Sequence, residues 1–204
     1  MASRIFLIRH GETEWSLSGR HTGRTDLPLT ENGERRASRV RGLLRGIEFA
    51  HVLTSPLQRA RQTCELAGFG ALARVDPDLR EWDYGDYEGR TTAEIRAQSP
   101  GWNVFQDGCP RGESVGRISE RADRVLAGLR PMGGAVALFS HGQFLRVLAV
   151  RWVGLPAREG QHFALDTASL SILGYEHHNG DIPAISLWNA GSNADGAASP
   201  QSGA

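Results

Sequence analysis

The chain has 204 residues, with 23 basic residues (all Arg, no Lys) against 23 acidic ones, so its formal charge is zero. That length buries a sizeable core in one domain; neutrality weighs against nucleic acid as a bulk partner; and the missing Lys excludes a Schiff-base lysine and a Walker-type phosphate loop. No apolar run approaches the roughly 18 residues of a membrane span, the N-terminal apolar stretch is too short for a signal peptide, and Cys64 and Cys109 alone make neither a disulfide framework nor a four-ligand zinc site, so a cytoplasmic protein without a membrane partner is expected.

Ile5 to Ile8 is a continuous apolar run that suits a buried strand feeding the polar cluster Arg9-His10-Gly11-Glu12. Residues 17–29 carry Gly and Pro and read as a long loop. From Thr30, a suitable N-cap, Ala37, Val40, Leu44 and Ile47 keep helical spacing, with five Arg between 35 and 45 on a solvated face. Val52 to Thr54 reads as a strand, and Ser55-Pro56 as the N-cap and first position of a helix with Leu57, Ala60, Cys64 and Ala67 inward, stopped by Gly68. Residues 72–75 suit another strand. Residues 76–90 are irregular and acidic. Thr91 and Glu94 form a capping-box pattern for a short helix ended by Pro100, and 101–112 read as loop. Ser114 caps a longer helix with Val115, Ile118, Ala122, Val125 and Leu129 inward. Ala135 to Phe139 is a second buried strand, ending at Ser140-His141-Gly142 and followed by a buried helix over 143–153 that Gly154 and Pro156 end. Leu170 to Leu173 and Ile182 to Leu187 flank Asn179-Gly180 as a hairpin. The expectation is an α/β fold: three layers, α/β/α, with a mostly parallel central sheet and an antiparallel edge strand. It occupies one domain over 1–190, with a disordered Gly/Ala/Ser-rich tail over 191–204.

Two places share one design: an apolar strand, one polar residue, then His-Gly. These are Arg9-His10-Gly11 and Ser140-His141-Gly142. Ligands of open α/β sheets bind beyond the carboxyl ends of the strands, so neighbouring strands would bring the two imidazoles face to face. Glycine after each His would let backbone approach a ligand, and the helix starting after His141 favours an anion. Arg59, in the first turn of its helix, points back to the same end. Two guanidinium groups beside two imidazoles need an anion, and phosphate matches their forks. The Arg charges would also depress the His pKa values and keep a nucleophilic imidazole neutral. A carboxylic acid is needed for the leaving oxygen, and the residues alone leave Glu81, Asp83, Asp86 and Glu88 open.

The blocks Phe6 to Trp15, Thr22-Gly23, Leu29-Thr30 with Gly33, Thr54 to Leu57 with Arg59-Ala60 and Gln62-Thr63, Glu81 with Tyr84-Gly85 and Tyr87-Glu88-Gly89, Gly112-Glu113-Ser114 and Ser140-His141-Gly142 resemble the histidine phosphatase superfamily, with its phosphoglycerate-mutase-like fold. The resemblance covers residues 4 to about 187. It implies His10 as a nucleophile forming a phosphohistidine, Arg9, Arg59 and His141 as phosphoryl-binding partners, and Glu81 as the acid and later base. It implies Ser16, Thr22, Gly23, Tyr84 and Gln143 at substrate-side positions. Arg and His supply the positive charge, so no metal and no cofactor are expected, and the partner is a small phosphorylated substrate.

The mutase branch resembles the chain less. Its insertion after the acid block is missing, since Glu81 to Ser114 spans 33 positions; Thr92 stands where it has Lys, and Ser16 where it has Asn. Hydrolysis of a sugar phosphate or similar metabolite is therefore expected, as in sedoheptulose-bisphosphatase-like and acid-phosphatase members. A 2,3-bisphosphoglycerate-dependent mutase is the alternative, and a non-enzymatic phosphate-ligand binder the third reading. Trp15, Trp82, Tyr84 and Trp102 are candidates for an apolar wall or for packing. His21, His51 and His162 receive no role, Asp86 and Glu88 read as surface acids, His177-His178 as an exposed hairpin end, and exposed strand edges suit a homodimer.

Overall fold

The computed structural model describes residues 2–176 and 182–191. Strands β1 (Ala2–Arg9), β2 (Phe49–Thr54), β3 (Ala73–Val75), β4 (Gly134–Ser140), β5 (Ser169–Tyr175) and β6 (Pro183–Gly191) form one sheet in the order β3-β2-β4-β1-β5-β6. The pairs β3-β2, β2-β4 and β4-β1 are parallel, whereas β1-β5 and β5-β6 are antiparallel. The expected mostly parallel sheet with an antiparallel edge is present, and the hairpin β5-β6 makes that edge.

Alternation along the strands feeds two helical layers. Ile5, Leu7, Leu53, Val136 and Leu138 pack on one face with Ile118, Ala122, Val125 and Leu129 of α6 (Val115–Leu129) and Phe144, Leu145 and Leu148 of α7 (Gly142–Trp152). Phe6, Ile8, Val52, Ala137 and Phe139 pack on the other with Val40 of α2 (Glu31–Leu43) and Cys64 of α3 (Gln58–Leu66). The strands read as continuous apolar runs because both faces are covered.

Register sets the position of the site. Arg9 lies opposite Ser140, so His10 and His141 leave the sheet side by side, and the His10 N–H donates to the Ser140 carbonyl at 3.0 Å. On the other side of β4, Thr54 pairs with Phe139, which brings Ser55 beside His141.

Several local expectations need correction. The stretch read as a loop from residue 17 begins inside α1 (Glu14–Leu17), a single turn closed by a reciprocal capping box between Thr13 and Ser16. Ser55 and Pro56 precede α3 rather than start it: the N-cap is Leu57, and the Ser55 hydroxyl turns inward to His141. The short helix over Thr92–Arg96 (α4) stops well before Pro100, although its capping box is present as expected. Residues 101–112 contain α5 (Val104–Asp107), capped by the Asn103 side chain. Thr30 and Ser114 cap α2 and α6 as read. The Asn179-Gly180 turn, His177-His178 and residues 192–204 lie outside the described residues. Among the described residues no helix is long and apolar enough to cross a membrane.

Candidate active site

The strand ends and the loops facing them enclose a cleft of about 370 Å³ lined by Arg9, His10, Ser16, Gly19, Arg20, His21, Thr22, Arg36, Glu81, Tyr84, Gln143, Asp166 and Thr167. His10 forms part of its floor. The Nδ1–H of His10 donates to the Gly11 carbonyl at 2.7 Å. A carbonyl only accepts, so this bond fixes the tautomer and leaves Nε2 with its lone pair. Burial, then the charges of Arg59 and Arg9, hold the His10 pKa well below the ordinary imidazole value. The ring is neutral, which a nitrogen nucleophile requires.

His141 lies beside it, with ring centroids 5.1 Å apart and the planes tilted at 59°. Its Nδ1 accepts from Arg59 Nε at 3.1 Å, so its Nε2–H donates to Ser55 Oγ at 2.7 Å. Arg59 is fully buried. Its terminal nitrogens donate to the carbonyls of Thr22, Gly23 and Thr25 at 2.9–3.1 Å. Arg59 and His141 thus sit behind the cleft surface, orienting loop and floor. Arg9 reaches the Leu165 carbonyl through Nη1, and among the described residues its Nε is the buried side-chain polar atom that meets no hydrogen-bond partner. That nitrogen lies against Gly142, and Arg9 as a residue lines the cleft, where a guanidinium suits an anionic oxygen.

Glu81 reaches the cleft from an irregular segment and lies against the first turn of α7. Its Oε1 accepts from the N–H groups of Trp82 and Phe144, both at 2.9 Å, and its Oε2 accepts from Gln143 N–H at 3.1 Å. A carboxylate suits free N–H groups and the positive end of a helix dipole. Oε2 accepts this one hydrogen bond and so retains acceptor capacity, and Glu81 lines the cleft.

The two glycines after the histidines serve the protein rather than a ligand. A Cβ on Gly11 would lie 2.6 Å from the Gly33 carbonyl oxygen, and one on Gly142 would crowd the Arg9 guanidinium at 3.2 Å. Glycine here permits β1 to meet α2 and Arg9 to meet α7.

Of the substrate-side candidates, Ser16, Thr22, Tyr84 and Gln143 line the cleft, and Gly23 does not. Gly23 instead donates its N–H to Glu88, at 2.9 Å to Oε1, and Thr25 N–H does the same at 3.0 Å. Glu88 is therefore no idle surface acid: it clamps the loop whose carbonyls hold Arg59. His21, given no role by sequence reasoning, lines the cleft against Tyr84 with centroids 4.7 Å apart, and burial lowers its pKa to about 4. Arg20, Arg36, Asp166 and Thr167 were also missed. Arg36, from the Arg-rich face of α2, bonds the Thr167 carbonyl at 3.1 Å. Trp82 and Trp102 are core residues whose indole N–H groups bond the Glu113 and Gly108 carbonyls, each at 2.9 Å, and Trp15 packs against Gly89. Among the described residues no cluster of three or more His, Cys, Asp or Glu side chains is arranged to hold a metal.

Fold and site define a class: an α/β/α protein with two neighbouring imidazoles beyond the carboxyl ends of adjacent parallel strands, flanked by a guanidinium from a strand end and another from a helix start, suited to holding a phosphoryl group. Residues 5–190 match the family model for the histidine phosphatase superfamily, branch 1. The chain is 47% identical over 178 residues to an acid phosphatase of Mycobacterium tuberculosis, covering 85% of this chain and 87% of that protein. It is 36% identical over 183 residues to a protein of Cronobacter sakazakii described as a probable phosphoglycerate mutase, covering 85% of each. A solved structure of a Mycobacterium tuberculosis open reading frame superposes with a TM-score of 0.87 at 42% identity, covering 92% of this chain and 97% of that one. The chain belongs to the histidine phosphatase superfamily, branch 1, and is a phosphoric monoester hydrolase.

Proposed function

We propose that the protein hydrolyses a small phosphorylated metabolite, a sugar phosphate or similar, by way of a phosphohistidine on His10. The observation that carries this reading is the bond from His10 Nδ1–H to the Gly11 carbonyl, which leaves a neutral imidazole with Nε2 free toward the cleft. In the first step Nε2 forms a bond to phosphorus as the bond from phosphorus to the leaving oxygen breaks. The Glu81 carboxyl gives its proton to that oxygen, and the alcohol departs. In the second step a water oxygen attacks phosphorus, Glu81 takes the water's proton, and the N–P bond breaks. Inorganic phosphate leaves, with His10 and Glu81 restored.

Arg9, Arg59 and His141 provide or orient the positive charge and donors facing the equatorial oxygens. Phosphoryl transfer depends mainly on such positioning and charge stabilisation. Ser16, Thr22, Tyr84 and Gln143 surround the remainder of the substrate. The test pairs a phosphate-release screen over sugar phosphates, phosphoglycerates and nucleotides with transfer of radiolabelled phosphate to protein. Label on the native chain and none on His10→Ala is expected; full turnover in that variant overturns the reading. The likeness to a protein described as a probable phosphoglycerate mutase is the observation behind a second reading, return of the phosphoryl group to substrate. Conversion of 3-phosphoglycerate to its isomer, with and without 2,3-bisphosphoglycerate, decides between them.

A further inference from the structure

The segment that carries Glu81 has cavities on two sides. One is the cleft; the other, of about 250 Å³, is lined by Arg24, Arg80, Asp83, Glu113, Arg117 and Arg121, among others, and Glu81 borders both. Close packing, which ordinarily fixes a side chain, is therefore incomplete around this one. Nor does the segment belong to a helix or strand. It follows the turn at Pro77–Leu79 and runs irregularly to Tyr84, so its carbonyls have no ladder of partners.

Arg121, on α6, supplies those partners. Its Nη1 donates to the carbonyls of Asp78 and Arg80 at 2.8 and 2.7 Å, and its Nη2 to the Glu81 carbonyl at 3.2 Å. The same guanidinium binds both carboxylate oxygens of Glu113, Nε to Oε1 at 2.8 Å and Nη2 to Oε2 at 2.7 Å. Glu113 holds the segment from its other end. Its Oε2 accepts from Asp83 N–H at 3.2 Å, its own N–H donates to the Asp83 carbonyl at 2.8 Å, and its carbonyl accepts from the Trp82 indole. Arg121 also lies 4.3 Å over the ring of Phe144, the residue whose N–H binds Glu81 Oε1.

A largely buried ion pair is weak evidence for stability, because desolvation offsets most of its attraction. A planar fork that binds three carbonyls of one irregular segment, and a carboxylate that holds the same segment at its other end, has a different consequence: it fixes that segment's position. We propose that the Arg121–Glu113 pair is a positioning device for the Glu81 carboxylate, without itself touching substrate. The proposal rests on the reading of Glu81 as the proton donor, and the experiment separates failure of the two.

A proton donor matters for a poor leaving group and hardly for a good one. The measurement is therefore kcat/KM for 4-nitrophenyl phosphate and for glycerol phosphate, in the native chain, Glu81→Gln, Arg121→Met and Glu113→Gln. Both esters are assayed on one preparation, so a reduced folded fraction cancels from their ratio. Expected is a loss on the alkyl ester at least about tenfold greater than on the aryl ester in both Arg121→Met and Glu113→Gln, the same direction as a larger effect in Glu81→Gln. If Glu81→Gln discriminates between the esters while the other two variants lower both equally or neither, the positioning role is wrong. If Glu81→Gln itself does not discriminate, the acid assignment falls and the positioning role with it.

Discussion

The floor and the rim of the cleft are built differently. The floor comes from the ends of β1 and β4 and the first turns of α3 and α7, with Glu81 brought against α7 by an irregular segment. His10, Arg59, Glu81 and His141 are all buried there, each oriented by at least one hydrogen bond to the protein. The rim comes mostly from connections: Gly19, Arg20, His21, Asp166 and Thr167, half-buried or exposed, joined by Ser16 from the single turn α1 and Arg36 from α2. His10, His141 and Arg59 sit where paired strands end and a helix starts, so neighbouring backbone determines side-chain direction, whereas Glu81 depends on the bonds that Arg121 and Glu113 make to its segment. Recognition of the variable part of a substrate is left to segments that can change without disturbing the sheet. If that division holds, floor variants lose rate and rim variants change preference.

The largest effect expected is at His10. His10→Ala removes the nitrogen proposed to attack phosphorus and is expected to lower turnover by more than about a thousandfold; phosphate release, with radiolabel transfer in a stopped reaction, checks it. Arg59→Met comes next. It removes a fully buried cation and the donors to Thr22, Gly23 and Thr25, so kcat falls by about a hundredfold and KM rises as the loop loosens. Steady-state kinetics with thermal melting separates the two losses. A variant with native kcat and altered preference alone would move Arg59 from floor to rim.

The same division explains what the sequence made legible. The two strand–His–Gly blocks and Arg59 could be read because a buried strand ends at a predictable point and a helix's first turn points back along itself. From the residues alone Glu81 is one of four candidate acids, and only the family resemblance singles it out. Its fit to the α7 N-terminus depends on a contact between residues 62 and 63 positions apart, which no local pattern reveals. Asp166 and Thr167 reach the rim because β5 pairs antiparallel with β1, and nothing in their own sequence marks them. The tryptophans went to the core or to packing, since two of the indoles find buried carbonyl partners. Glu88 was legible as an acid but not as a clamp, because its acceptors' partners lie 63 and 65 residues away.

Acidity tests floor and rim together. His10 and His141 are held below the ordinary imidazole pKa by burial first and Arg59 next, and His21 at the rim is lowered to about 4 by burial. A lowered folded pKa means that the unfolded chain takes up protons first as pH falls. Stability from these neutral rings is therefore present above about pH 6.5 and lost progressively below it. Melting temperature is expected to be lower at about pH 5 than at pH 7, and His21→Gln to remove part of that dependence. Activity responds differently. The neutral His10 persists as pH falls past its usual range, so the acid limb of kcat/KM lies well below about pH 6.5. Arg59→Met, by removing a nearby cation, moves that limb upward. A limb at the ordinary imidazole value in the native chain would contradict the electrostatic account of the floor.

The smallest effect belongs to the rim and bears most directly on substrate choice. Arg20 donates to the Gly89 carbonyl at 2.6 Å and meets Glu94 at 3.4 Å, while Arg36 is engaged by Thr167. Asp166 is exposed at the same rim, anchored by Asn189 Nδ2 at 3.1 Å. The cations of the rim thus already have protein acceptors, and the carboxylate adds negative charge where the far end of a substrate would lie. On this account a substrate with a second anion is expected to be disfavoured relative to one with hydroxyl groups. Asp166→Asn is expected to raise kcat/KM for 3-phosphoglycerate relative to glycerol 3-phosphate by a few-fold, about the size an exposed charge has in water. The gain shrinks at about 1 M salt, where the screening length falls to about 3 Å. A ratio unmoved at low salt would mean that rim charge does not select substrates, leaving preference to the shape set by Ser16, Tyr84 and Gln143.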